Sequence, residues 1–158
     1  MKPSPSSLPR PLIAVAVAAV IVVDAVASMA HAAPAAAAPT APATPLTVTA
    51  KLVEIPTAFP PDDLYDYAYV MRYEVSGGPL DKQSILVAHY KPRQPRSKIK
   101  EPMKSNVGGK LRSFKQGDVH RLQLAPDLKR IWKGALVDEF AATDRKSIRY
   151  WALLTDPG

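Results

Sequence analysis

Three groups of residues in this chain have the types and spacing that could do chemistry. The first is a pair of histidines with a nearby acid: His89, then Asp118 and His120 two positions apart. Imidazoles titrate near neutrality, so two of them beside a carboxylate could exchange protons or bind a metal, provided their segments meet in space. The spacing matches no zinc motif, and Asp118 also suits a turn, so a structural role competes with a catalytic one. No metal and no cofactor is expected.

The second group is a run of cations. Lys91, Arg93, Arg96, Lys98, Lys100, Lys104, Lys110, Arg112 and Lys115 fall within 25 residues, with Glu101 as the only acid. A charge of about +8 at this density repels itself. With Pro92, Pro95, Pro102 and Gly108-Gly109, it predicts an exposed, mobile loop rather than a buried element. Such a segment can concentrate a polyanion by long-range attraction, or it can serve solubility alone. The third group is a tyrosine ladder, Tyr65, Tyr67, Tyr69 and Tyr73. Exposed, it would stack on sugar rings; the more common arrangement buries the rings and leaves the hydroxyls at an edge.

Other chemistries find no support. No serine sits in a G-x-S-x-G elbow. Asn106-Val107-Gly108-Gly109-Lys110 lacks both the first glycine of a phosphate loop and the hydroxyl residue after its lysine. The carboxylates Asp62, Asp63 and Asp66, and Asp138 with Glu139, read as turn and helix-end charges.

Short strands between turn signals must position these groups. Leu46 to Ile55 shows partial alternation and stops at Pro56; Tyr65 to Val75 is the clearest strand; Ser84 to Tyr90 is apolar enough to be buried on both faces. Leu111 to Lys115 and Val119 to Leu124 flank Gln116-Gly117-Asp118 as a hairpin. Pro126 to Lys133 has proline, an early acid and a following glycine in helix positions, and Ser147 to Leu154 closes the chain as a strand. Five or six strands with one short helix predict a mainly β fold, a small OB-like Greek-key barrel, with an immunoglobulin-like sandwich as the alternative.

Composition divides the 158 residues into three. Lys2 and Arg10 precede an apolar run, Leu12 to Val23, that Asp24 ends, and Ala30-His31-Ala32 offers a small-residue cleavage site. This pattern predicts a signal peptide over 1–32, cleaved after Ala32. Retention as an anchor would need about 20 apolar residues. Residues 33–46 form an Ala/Pro-rich linker. The domain is expected over 47–158, with 19 basic and 13 acidic residues and no cysteine, so packing alone must hold it.

The runs Tyr65-Asp66-Tyr67-Ala68-Tyr69-Val70, Ile85-Leu86-Val87-Ala88-His89 and Gly117-Asp118-Val119-His120-Arg121-Leu122 resemble small exported bacterial OB-like modules. Those modules are encoded near genes for O-acetylation of alginate-type exopolysaccharides. The resemblance implies a periplasmic accessory or binding role; the loop after His89 is longer and more basic than that pattern. The leading expectation is thus an exported binding module that engages acidic polysaccharide or another anionic envelope component through residues 91–115. A small envelope hydrolase or transferase using His89, His120 and Asp118 is the second. A structural subunit docking to an envelope protein through Trp132, Tyr150 and Trp151 is the third. Export disfavours nucleic acid, and membrane contact is expected only through an uncleaved signal segment.

Overall fold

The computed structural model describes residues 44–158; the expected signal peptide and all but the end of the linker lie outside the described residues. The domain is mainly β. Its elements are β1 (Leu46–Glu54), β2 (Tyr67–Ser76), β3 (Ser84–Tyr90), β4 (Val119–Ala125), α1 (Leu128–Ile131), β5 (Ala135–Val137) and β6 (Arg149–Pro157).

Alternation sets the register. In β1, Val48, Ala50 and Leu52 are buried while Thr47, Thr49 and Lys51 face water. β1 pairs antiparallel with both β2 and β4, β2 with β3, and β4 with β6, while β3 and β6 run parallel. Those pairings close a five-stranded ring in the order β1-β2-β3-β6-β4, an OB-like arrangement and not the two-sheet sandwich.

The ring has two gaps, and the connections fill both. β1 leaves β2 after the irregularity at Leu52 to Glu54, and β5 then pairs in parallel with the vacant edge at Tyr67 to Tyr69. β3 leaves β6 after Trp151, and Gly108 bridges Leu154 in its place. Gly109 is required there: its φ is +115°, and a Cβ would overlap the Thr155 backbone.

Two apolar layers result. Inside the ring lie Leu52, Tyr67, Tyr69, Met71, Tyr73, Val87, Leu122 and Tyr150, with Leu111 and Phe114 from the β3–β4 connection. Outside it, Ala68, Val70, Leu86, Ala88 and Trp151 cluster with Ile99, Met103 and Val107 from that connection and with Leu128 and Phe140 from the β4–β6 connection. β2 and β3 are therefore buried on both faces. The tyrosine ladder belongs to the core from Tyr67 onward, whereas Tyr65 precedes the strand and is exposed. The hydroxyls tie down the proline-rich segment: Tyr67 donates to the Pro60 carbonyl and Asp62, and Tyr69 bonds Thr57.

Two expected elements differ, and one strand is new. Residues 111–115 are not a strand, and no hairpin joins them to β4; Leu111 and Phe114 are anchors of an extended coil. The helix is a single turn, because Asp127 caps it through the Arg130 amide and Trp132 is already extended. β5, unpredicted, occupies the residues just beyond it.

Candidate functional site

The cationic segment is folded down onto the ring. Ile99, Met103, Val107, Leu111 and Phe114 are buried, and two 3-10 turns, Arg96–Lys98 and Met103–Ser105, carry the chain between anchors. The expected free loop is thus corrected. Self-repulsion does not prevent folding because the anchors alternate with the charges, and every cation but Arg96 can still reach water.

The nine predicted cations have three different fates. Arg96 is 3% exposed and is not a surface anion site. Its guanidinium donates to the carbonyls of Tyr90, Lys91 and Gln94 and lies over the Phe114 ring at 5.4 Å. Burial lowers its pKa to about 10 against nearby favourable tyrosines and Asp62. Carbonyl oxygens take up the two terminal nitrogens of this buried cation while its Nε is left without a partner, an arrangement the sequence could not reveal. Lys91 is half-buried; it pairs with Asp66 at 2.6 Å and donates to the Asp62 carbonyl, and that pairing holds the Asp66 carboxyl below its usual range. The remaining seven, Arg93, Lys98, Lys100, Lys104, Lys110, Arg112 and Lys115, are exposed. Among the described residues none of the seven joins an ion pair.

Six of those seven free cations form two shallow groups, Arg93 standing apart. Lys98, Lys100 and Lys104 line one recess around Ile99, with Glu101 among them. Lys110, Arg112 and Lys115 line a second beside Asp118 and Pro157. Lys98 and Lys100 also border a polar recess that reaches Lys91 and Tyr90, so the first group continues toward the end of β3.

His89 and His120 do meet, inside the ring. The Tyr73 hydroxyl lies 3.1 Å from His89 Nε2 and 3.2 Å from His120 Nδ1. Phe114 packs against both rings, with centroids 4.6 Å and 5.6 Å away. Both histidines are sealed, at 1% and 0% exposure. Asp118 does not join them; it sits exposed in the turn before β4, where its carbonyl accepts from the Leu52 amide. Among the described residues no three His, Cys, Asp or Glu side chains are placed to hold a metal. Burial pushes both imidazoles toward the neutral form, reinforced at His89 by Arg96 and opposed at His120 by Asp118.

The expected docking trio is also corrected: Tyr150 and Trp151 are buried, and Trp151 stacks on the half-buried Trp132 while donating to the Asn106 carbonyl. Exposed large apolar side chains are instead Leu64, Tyr65, Val119 and Leu136. Leu136 lines an open cleft of about 460 Å³ between α1 and the segment before β6, bordered by Lys129 and Arg145 and by the Asp138–Arg149 pair. The outer face of strands β2 and β3, which OB folds commonly offer to oligonucleotides and sugars, is covered by the chain itself.

No protein-family model, curated protein or solved structure matches this chain. Among the described residues no helix is long and apolar enough to cross a membrane.

Proposed function

We propose that this chain is an exported binding module that engages an acidic polysaccharide or another anionic envelope component through residues 91–115, in an accessory rather than catalytic capacity. One observation carries the reading. Seven cations of that segment stand exposed without an acidic partner, on a backbone fixed by five buried apolar anchors. Holding like charges together is unfavourable, and an external anion relieves it. Placing them on anchored chain also lowers the ordering cost on binding. Lys98, Lys100 and Lys104 would make one contact and Lys110, Arg112 and Lys115 the other.

The test is salt-dependent retention on an immobilised acidic polysaccharide. Exposed pairs are worth roughly 0.2–1 kcal/mol each, so replacing Lys98, Lys100 and Lys104 by Gln should cost about tenfold in affinity at low salt. Unchanged retention in that variant and in the companion K110Q/R112Q/K115Q variant would sink the proposal.

A further inference from the structure

The Tyr73–His89–His120 cluster has an arrangement that binding at the surface does not require. A phenol has one proton, so Tyr73 can donate to only one imidazole and must accept from the other. Each imidazole's remaining nitrogen, His89 Nδ1 and His120 Nε2, is buried without a partner. Either tautomer assignment therefore leaves one N–H and one lone pair unsatisfied, which costs stability even in the neutral form.

We infer that this cluster is an acid-sensitive latch: proton uptake by the histidine pair displaces Phe114 and Arg96 and frees the cationic 91–118 connection from the ring. As regulation of the anion-binding surface this rests on the function proposed above; the release itself needs no ligand.

The surroundings of the pair set the direction. Phe114 touches both imidazoles, and Arg96 lies over Phe114. The connection thus brings a ring and a cation to the place where a new positive charge would form. β2 contributes Tyr73, and opposite His89 it places Tyr69. β1 and β6 place Ala50 and Pro157 opposite His120. The acid beside the pair is Asp118, which favours a proton on His120, whereas Arg96 opposes one on His89. Once both imidazoles donate to Tyr73, its own hydroxyl proton loses its acceptor, and a second buried cation stands near Arg96.

The connection is the part that yields. The strands are held by paired ladders, whereas its later half is tied to the ring by scattered bonds: Leu111 N–H to Thr155, Lys110 N–H to Asp156, Gly117 N–H to Leu52, Leu52 N–H to Asp118, Trp151 Nε1–H to Asn106 and the Gly108–Leu154 bridge. The sign follows from linkage. Above the unfolded imidazole value of about 6.5 the histidines are neutral in both states and contribute no pH dependence. Below it, the released or unfolded chain takes up protons that the closed form resists, so latching weakens as pH falls.

Hydrogen exchange on the full chain, corrected for intrinsic rates, tests the inference between pH 7.5 and 4.5, alongside imidazole titration by NMR. Protection at Arg96 and Leu111 should fall at least tenfold more than protection in β2 and β6, with a midpoint matching the titration of His89 and His120. The H89Q/H120N variant keeps a nitrogen near each contact with Tyr73 but cannot titrate, and it should hold the connection shut. Loss of protection throughout the ring at once, or a connection still protected after both imidazoles charge, would overturn the latch. If the variant does not fold, a release midpoint well away from the imidazole titration of the native chain overturns it equally. Because these readouts contain no polyanion, they fail separately from retention measured at pH 7.5.

Discussion

The two long connections, 91–118 and 126–148, cover the same ring but carry very different charge balances. The second interleaves four acids, Asp127, Asp138, Glu139 and Asp144, with five bases, Lys129, Arg130, Lys133, Arg145 and Lys146. Asp138 pairs with Arg149 at 2.9 Å, Arg149 also donates to the carbonyls of Ser147 and Asp144, and Asp127 caps α1. The first sequesters one cation, pairs another and leaves seven in water. Both reach the outer layer with apolar anchors, so covering the ring does not explain the difference. What separates them is net charge: the first sets nine bases against Glu101 and Asp118, whereas the second is nearly balanced, although its own five cations also stand exposed and unpaired among the described residues.

Substitutions can break or sharpen that contrast. The largest expected effect is where the connections meet. Trp151→Ala removes a fully buried ring that stacks on Trp132 and bonds Asn106, and should cost about 4 kcal/mol in denaturant unfolding. Asp138→Ala leaves the nearly buried Arg149 without its acid and should cost about 2 kcal/mol, with little effect on polyanion retention. The smallest stability change belongs to K110Q/R112Q/K115Q. It should stay within about 0.5 kcal/mol of the parent, on the stabilising side at low salt, while retention falls. A large destabilisation by that variant would mean that the first connection uses its charges to fold, and the contrast would disappear.

Much of the ring was legible: alternation in β1, β4 and the later part of β2 reports one buried face, and the continuous apolar run of β3 reports two. β5 was not, since Ala135-Leu136-Val137 is too short to show a period and its place is dictated by the edge that β1 vacates. The cationic segment was misjudged for a different reason. Its charge was weighed and its apolar residues were not, although Ile99, Met103, Val107 and Leu111 recur every fourth position and Phe114 follows. That recurrence was the available signal for an anchored coil. His89 and His120 were identifiable as a pair, but Tyr73, which joins them, looked like one more rung of a ladder. Nothing in residue type alone marks Arg96 as the buried cation, because its satisfaction depends on three carbonyls that converge only once the turn forms.

The closing of both gaps by the chain's own connections bears on how the folded protein behaves in company. Unpaired strand backbone is a template on which a neighbouring molecule can add its own strand. Here β5 offers three residues of it and Gly108 scarcely more. A second copy arriving at high local concentration finds little to extend, and like-charged lysines beside one of the two stubs. Self-association through β-sheet growth is thereby discouraged even though strands are the domain's dominant regular structure.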